Sequence, residues 1–299
     1  MPTFDTPSPI VAILDLGTGV VRITAGDRAD TVVDVRPSDE HNDADVQAAR
    51  HTRVEYAAGR LTVRTDREHA GATSGLSLGK LVESPTEWAR SLLLGPGSID
   101  VTIDLPAGSR LDGRSAGTVL CHGPLGEVAF TTSYGDLRVE QAGRLRLKST
   151  NGTVSVTHAA GPAEITTTHG GIRIGVIDGA AAVKTAHGDV RIGEVTGELR
   201  LSSAHGDIAV ERALAGVTAK TAYADVQIDE AVSGSVVMET SGGGLDLGIP
   251  AGTAAWLDVS SKYGAVDVSL DPGDDPGDAG PVVEVRAHTT HGHILIHRS

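Results

Sequence analysis

KTAHGDVRI (residues 184–192) is followed eighteen residues later by SSAHGDIAV (202–210) and preceded eighteen residues earlier by TTTHGGIRI (166–174). A catalytic site needs its special residue once. A histidine that returns on a fixed beat belongs to an architecture. Aligned on its central glycine, the nonapeptide recurs as TTSYGDLRV (131–139), KSTNGTVSV (148–156), KTAYADVQI (220–228), ETSGGGLDL (239–247), SSKYGAVDV (260–268) and HTTHGHILI (288–296). From Gly152 the centres step by eighteen to Gly170, Gly188, Gly206 and Ala224, and the later steps lengthen to 19, 21 and 28. A fixed period in this range marks a repeat fold in which one unit cannot bury its own apolar face.

The aligned columns say which side chains point inward. Two residues after the centre stand Leu137, Val154, Ile172, Val190, Ile208, Val226, Leu245, Val266 and Ile294; four after it stand Val139, Val156, Ile174, Ile192, Val210, Ile228, Leu247, Val268 and Ile296. All are aliphatic, with mostly polar or small residues between them. That is the period of two of a strand with one buried face, and β-branched residues suit it. A second strand fills the other half of each unit, with inward pairs such as Leu145/Leu147, Ala181/Val183 and Leu199/Leu201. Three residues before each centre comes Thr132, Ser149, Thr167, Thr185, Ser203, Thr221, Thr240, Ser261 or Thr289. These hydroxyls share the inward parity and are expected to find partners in the turn backbone or in each other.

Columns of like residues follow if successive units stack in parallel register, about 4.8 Å apart. An antiparallel meander would oppose different columns. The expectation is an all-β fold: an elongated parallel β-solenoid of two strands and about eighteen residues per coil, right-handed by the usual crossover rule. Residues 98–299 are expected to form the solenoid, with an acidic loop at 271–281. Residues 1–97 read as an irregular N-terminal cap. It holds strands near 8–16, 19–24 and 30–36, one short helix in DEHNDADVQAAR (39–50) capped at Asn42/Asp43, a hairpin at 51–65, and an excursion at 66–97 carrying Trp88 and Leu92–Leu94.

GEVTGELRLSSAHGDIAVERA (193–213), the ending VVEVRAHTTHGHILIHRS (282–299) and the opening VRITAGDRADTVVDVRPSD (21–39) resemble the adhesin-like β-strand-repeat family of unknown function, particularly its actinobacterial, cytosolic-looking members. The resemblance covers nearly the whole chain. It implies a β-solenoid and carries no catalytic motif.

Composition narrows the function. A net charge of −14 opposes nucleic-acid binding through phosphates. The chain has no apolar run long enough to span a membrane, no convincing signal peptide, and one cysteine, Cys121; the cytoplasm is the expected compartment. The residue before each centre forms a column of Tyr134, Asn151, His169, His187, His205, Tyr223, Gly242, Tyr263 and His291. We read it as a planar ladder over a turn, with no metal and no cofactor. Asp189, Asp207 and Asp225 lack the three-glycine context of calcium β-rolls. The group His288, His291, His293 and His297 is at most an adventitious metal binder. A carbohydrate-active parallel β-helix enzyme is the runner-up, but such enzymes use stacking aromatics and paired carboxylates, and only 3% of residues are aromatic. An ice-binding threonine array fails because the hydroxyl column points inward.

The reading is therefore a non-enzymatic scaffold or protein-interaction module, with no nucleic acid and no membrane insertion. Its partner is expected to be a protein or a second copy, giving a homo-oligomer. The candidate surfaces are His169, His187 and His205 on the ladder, and Ile294 and Ile296 in the last strand, expected at an open edge.

Overall fold

In the computed structural model, residues 1–65, 97–270 and 282–299 are described. The readings for the excursion and the acidic loop lie outside these residues. The chain is all-β apart from one helix among the described residues, and it divides into two compact units, Met1–Asp136 and Leu137–Ser299.

The second unit is the repeat made physical. Through its regular middle each strand residue pairs in parallel with its counterpart eighteen positions on: Val190 faces Ile208, Arg191 faces Ala209 and Ile192 faces Val210. The other ladder does the same, Thr167 facing Thr185 and His169 facing His187. Two ladders per coil result. One runs through Ala163–His169, Ala181–His187, Leu199–Ser202 and Val217–Lys220; the other through Ile172–Ile177, Val190–Val195, Ile208–Ala213 and Val226–Ala231. Of the two aliphatic columns, every member is buried except Val266 and Val268. The turn between the ladders requires glycine at most centres. At Gly188 φ is +131°, and a Cβ would lie 2.5 Å from the carbonyl oxygen of Gly170 in the coil before it.

The last strands of the sequence are not the end of the stack. Val282–His291 lies between Gly234–Gly242 and Ala254–Ser261, parallel to both. Ile294–Arg298 likewise lies between Leu245–Ile249 and Val266–Ser269. The expectation that Ile294 and Ile296 stand at an open edge is therefore corrected: both are buried, and coil 254–269 is the outermost described coil of the second unit. The physical reason lies in the long step of 28 between the last two centres, which gives the chain length to return inside an already displaced coil.

The first unit uses the same device. Val11–Asp15 and Thr18–Gly26 form a coil that pairs in parallel on one side with Arg60–Thr65 and Ser98–Pro106. On its other side stand Arg110–Ser115 and the start of Thr118–Tyr134. The outermost coil, 60–65 with 98–106, is covered by antiparallel strands: Thr52–Ala57 on one half, and Asp30–Pro37 followed by Thr3–Asp5 on the other. The expected hairpin and helix are both present. Helix Asp43–Arg50 starts at Asn42, whose Oδ1 accepts from the Ala44 amide at 2.9 Å. Asp45 is buried, and its carboxylate accepts from the amides of Asp39 (3.1 Å) and Ser98 (2.8 Å), tying the helix to the outer coil.

Parity and burial together predict a sharp contrast. Ile208→Asp places a charge among Val190, Val226 and Val210 and should cost about 3–5 kcal/mol. Ala209→Asp, one residue along and beside Arg191, should change stability by less than about 0.5 kcal/mol. Urea melts of both variants check this; equal losses would refute the strand parity.

Candidate functional site

Three ladders converge at the turn that carries the histidines. In the outermost, the rings of His169, His187 and His205 stack at 5.0 Å between successive centroids, with interplanar angles of 7° and 2°. Tyr223 continues the stack at 5.7 Å, and further along Tyr263 stacks on His291 at 4.9 Å. The rings are exposed. An imidazole binds a metal in its own plane, along the nitrogen lone pair, at about 2.0–2.1 Å. Parallel planes 5.0 Å apart cannot meet at one ion, so adjacent rungs are not a chelate. Among the described residues no group of three potential ligands converges.

Beside the rings runs a carboxylate ladder. Asp189 accepts from the backbone amide of Asp207 at 3.3 Å, Asp207 from that of Asp225 at 3.2 Å, and Asp225 from that of Gly244 at 2.6 Å. Each carboxylate thus closes an amide of the next coil. This is why like charges tolerate the register: their near neighbours are N–H dipoles.

Beneath both lies the hydroxyl column, which behaves differently in its middle and toward its ends. Thr132 donates to the carbonyl oxygen of Gly117 (2.9 Å), Thr240 to that of Ala224 (3.3 Å), Ser261 to that of Gly292 (2.8 Å) and Thr289 to that of Gly243 (3.1 Å). The hydroxyls of Ser149, Thr167, Thr185, Ser203 and Thr221 are buried with no hydrogen-bond partner in the protein. The expected mutual pairing does not occur there.

The C-terminal histidines are dispersed among different partners. Nδ1 of His288 meets the Ser260 hydroxyl at 2.8 Å, Nδ1 of His293 accepts from the Ala265 amide at 3.1 Å, and His297 lies 3.2 Å from Asp246. His291 joins the ring ladder. Cys121 is buried, and desolvation pushes its thiol up to about 12, which leaves it unreactive. A shallow groove of about 570 Å³ crosses one outer face above Gly175 and Gly193, between Arg173, Arg191 and Arg212.

The feature that sequence reading missed is the outermost coil. Leu257, Val259, Val266 and Val268 occupy inward columns with, among the described residues, a neighbouring strand on one side only. Val266 and Val268 are each 41% exposed, and Trp256, on the outward face of the coil's other strand, is 74% exposed. The signal in the sequence was the lengthening of the last steps, which marks where coils change order.

A fold of stacked, interchangeable coils with an aromatic turn ladder defines a repeat protein, and comparison places it. The Toastrack DUF4097 family matches residues 14–297, and the chain belongs to that family. The adhesin-like resemblance seen in the repeats is to this family of unknown function. No curated protein matches the chain. A solved structure of a candidate cell adhesion protein from Clostridium sporogenes ATCC 15579 is 11% identical, covering 100% of this chain and 98% of that one, with a TM-score of 0.20. That likeness is too slight to bear on this chain. No helix among the described residues is long and apolar enough to cross a membrane.

The hydroxyl column yields a test of its two regimes. Thr185→Val removes an unpartnered buried oxygen and should leave stability unchanged or raise it. Thr289→Val breaks a made bond and strands the Gly243 carbonyl, costing about 1 kcal/mol. Denaturant midpoints compare them. His187→Asn should fold normally, because Asn151 already occupies the same column.

Proposed function

We propose that this protein is a non-enzymatic β-solenoid that serves as a protein-interaction module, working in the cytoplasm. The observation that carries the reading is coil 254–269, whose outer side no described strand covers. Among the described residues its two strands have ladder partners on one side only, and apolar side chains of core parity stand half-open to solvent. Natural sheets cover such an edge or use it for pairing, because it is a template for another chain. The ring ladder of His169, His187 and His205 adds an exposed, regularly spaced surface, which we assign to contact with a partner. The single buried thiol of Cys121 is compatible with a reducing compartment.

The carbohydrate-active alternative finds weaker support. In the groove above Gly175 and Gly193, Arg212 lies between Glu194 (3.8 Å) and Glu230 (3.4 Å), so those acids face a cation rather than each other across a cleft. The turn ladder, for its part, is built of stacked rings whose faces cover one another rather than lying open to a sugar.

The edge reading makes a specific prediction. In a pull-down from source cells followed by cross-linking, partners should cross-link to residues 254–269. The Val266→Lys/Val268→Lys variant should lose them while keeping its melting temperature within a few degrees, because both side chains are already partly solvated. Undiminished capture by that variant would place the interaction elsewhere. Turnover of a polysaccharide by the wild type would overturn the non-enzymatic reading.

A further inference from the structure

Coil 254–269 is an unusual edge because two strands end together. A partner that adds a single strand, in the manner of peptide β-augmentation, would cover Ala254–Ser261 or Val266–Ser269 but not both. The object that presents two flattened strands at the matching separation is another coil of the same kind. Among the described residues, the outermost coil of the first unit is already covered by antiparallel strands and is not available for this role. The strands that do the covering are poor templates: Thr3–Asp5 has three residues, and Thr52–Ala57 carries Arg53 and Glu55.

Resting on the edge reading above, we infer that the partner is a second copy of this chain, joined coil 254–269 to coil 254–269 about a two-fold axis. The assembly is a closed dimer and does not grow into a filament, because one edge coil per chain is consumed. A two-fold axis makes the strands of the two copies antiparallel. The Lys262 amide is bonded inward, to the Thr289 carbonyl oxygen at 3.2 Å, so the amides and carbonyls of Leu257, Val259 and Ser261 point outward along the same strand.

Pairing centred on Ser260 then joins Val259 of each copy to Ser261 of the other through those outward groups. The same register sets Asp258 of each copy directly opposite Lys262 of the other, twice over. Both side chains stand on the solvent-facing parity, where opposite charges across a strand pair favour one register. The strand sequence is therefore charge-complementary to itself in the antiparallel sense. Along the second strand, Val266 and Val268 lose their solvent by closing against the same strand of the copy.

Sedimentation velocity on the full chain at tens of micromolar tests this. The expected result is a monomer–dimer equilibrium with no larger species. Asp258→Lys and Lys262→Asp should each weaken the dimer by about tenfold or more, since each puts two like pairs face to face. The double variant Asp258→Lys/Lys262→Asp should restore it. Three outcomes would overturn the inference: a wild-type monomer throughout, species that grow with concentration beyond the dimer, or a double variant no better than the single ones. A monomer whose edge still cross-links to a different protein would remove the self-pairing and leave the edge reading standing. A monomer with no cross-links at 254–269 would remove both.

Discussion

The structure depends on one constraint, the parallel register in which each strand of the second unit lies on its counterpart in the next coil, eighteen positions away through the regular middle. Once Val190 must lie on Ile208 and His187 on His205, each column becomes a continuous physical object. Aliphatic columns become the core. Ring columns become a stack. Carboxylate columns must find something other than each other, and the geometry offers the amide of the next coil, as between Asp189 and Asp207. The turn is where the constraint is tightest. There the backbone of one coil passes so close to the next that a Cβ at Gly188 would strike the Gly170 carbonyl.

The same constraint makes the end of any stack a problem, since a coil is satisfied only when it has neighbours on both sides. In each unit the chain places one such coil between two others. Val11–Gly26 and Val282–Arg298 each have partners on two sides. The coils thereby pushed outward are treated differently. In the first unit, antiparallel strands and a helix anchored through Asp45 close the outer coil. In the second, Ala254–Ser261 and Val266–Ser269 are left with polar residues between partly exposed aliphatic ones.

The turn ladder shows how a suggestive constellation takes its meaning from geometry. Three histidines in a row invite a metal, yet stacking turns their coordinating planes parallel and their faces toward each other. What results is a rigid, flat-sided ridge. The hydroxyls beneath it mark how far the repeat is idealised. Toward its ends, where coil order or turn shape changes, Thr240 and Thr289 reach a turn carbonyl; in the regular middle their equivalents do not.

Much of this was legible in the sequence because a period of two within a period of eighteen leaves little freedom. The inward columns, the parallel register, the cap at Asn42 and the hairpin before Thr65 all follow from local rules that tertiary structure had no reason to override. The order of the last coils did not follow. SSKYGAVDV and HTTHGHILI satisfy the same columns equally well, so either could lie on Leu245–Ile249 without violating any pattern. Interchangeable repeats carry no address. Which coil is inner and which is the edge is decided by the way the longer connections let the chain double back, and by the burial gained when Ile294 and Ile296, rather than Val266 and Val268, fill the inner layer. The sequence by itself determined what each coil is; only the tertiary structure decided where it sits among its neighbours, and so which apolar pairs are buried and which stand partly open.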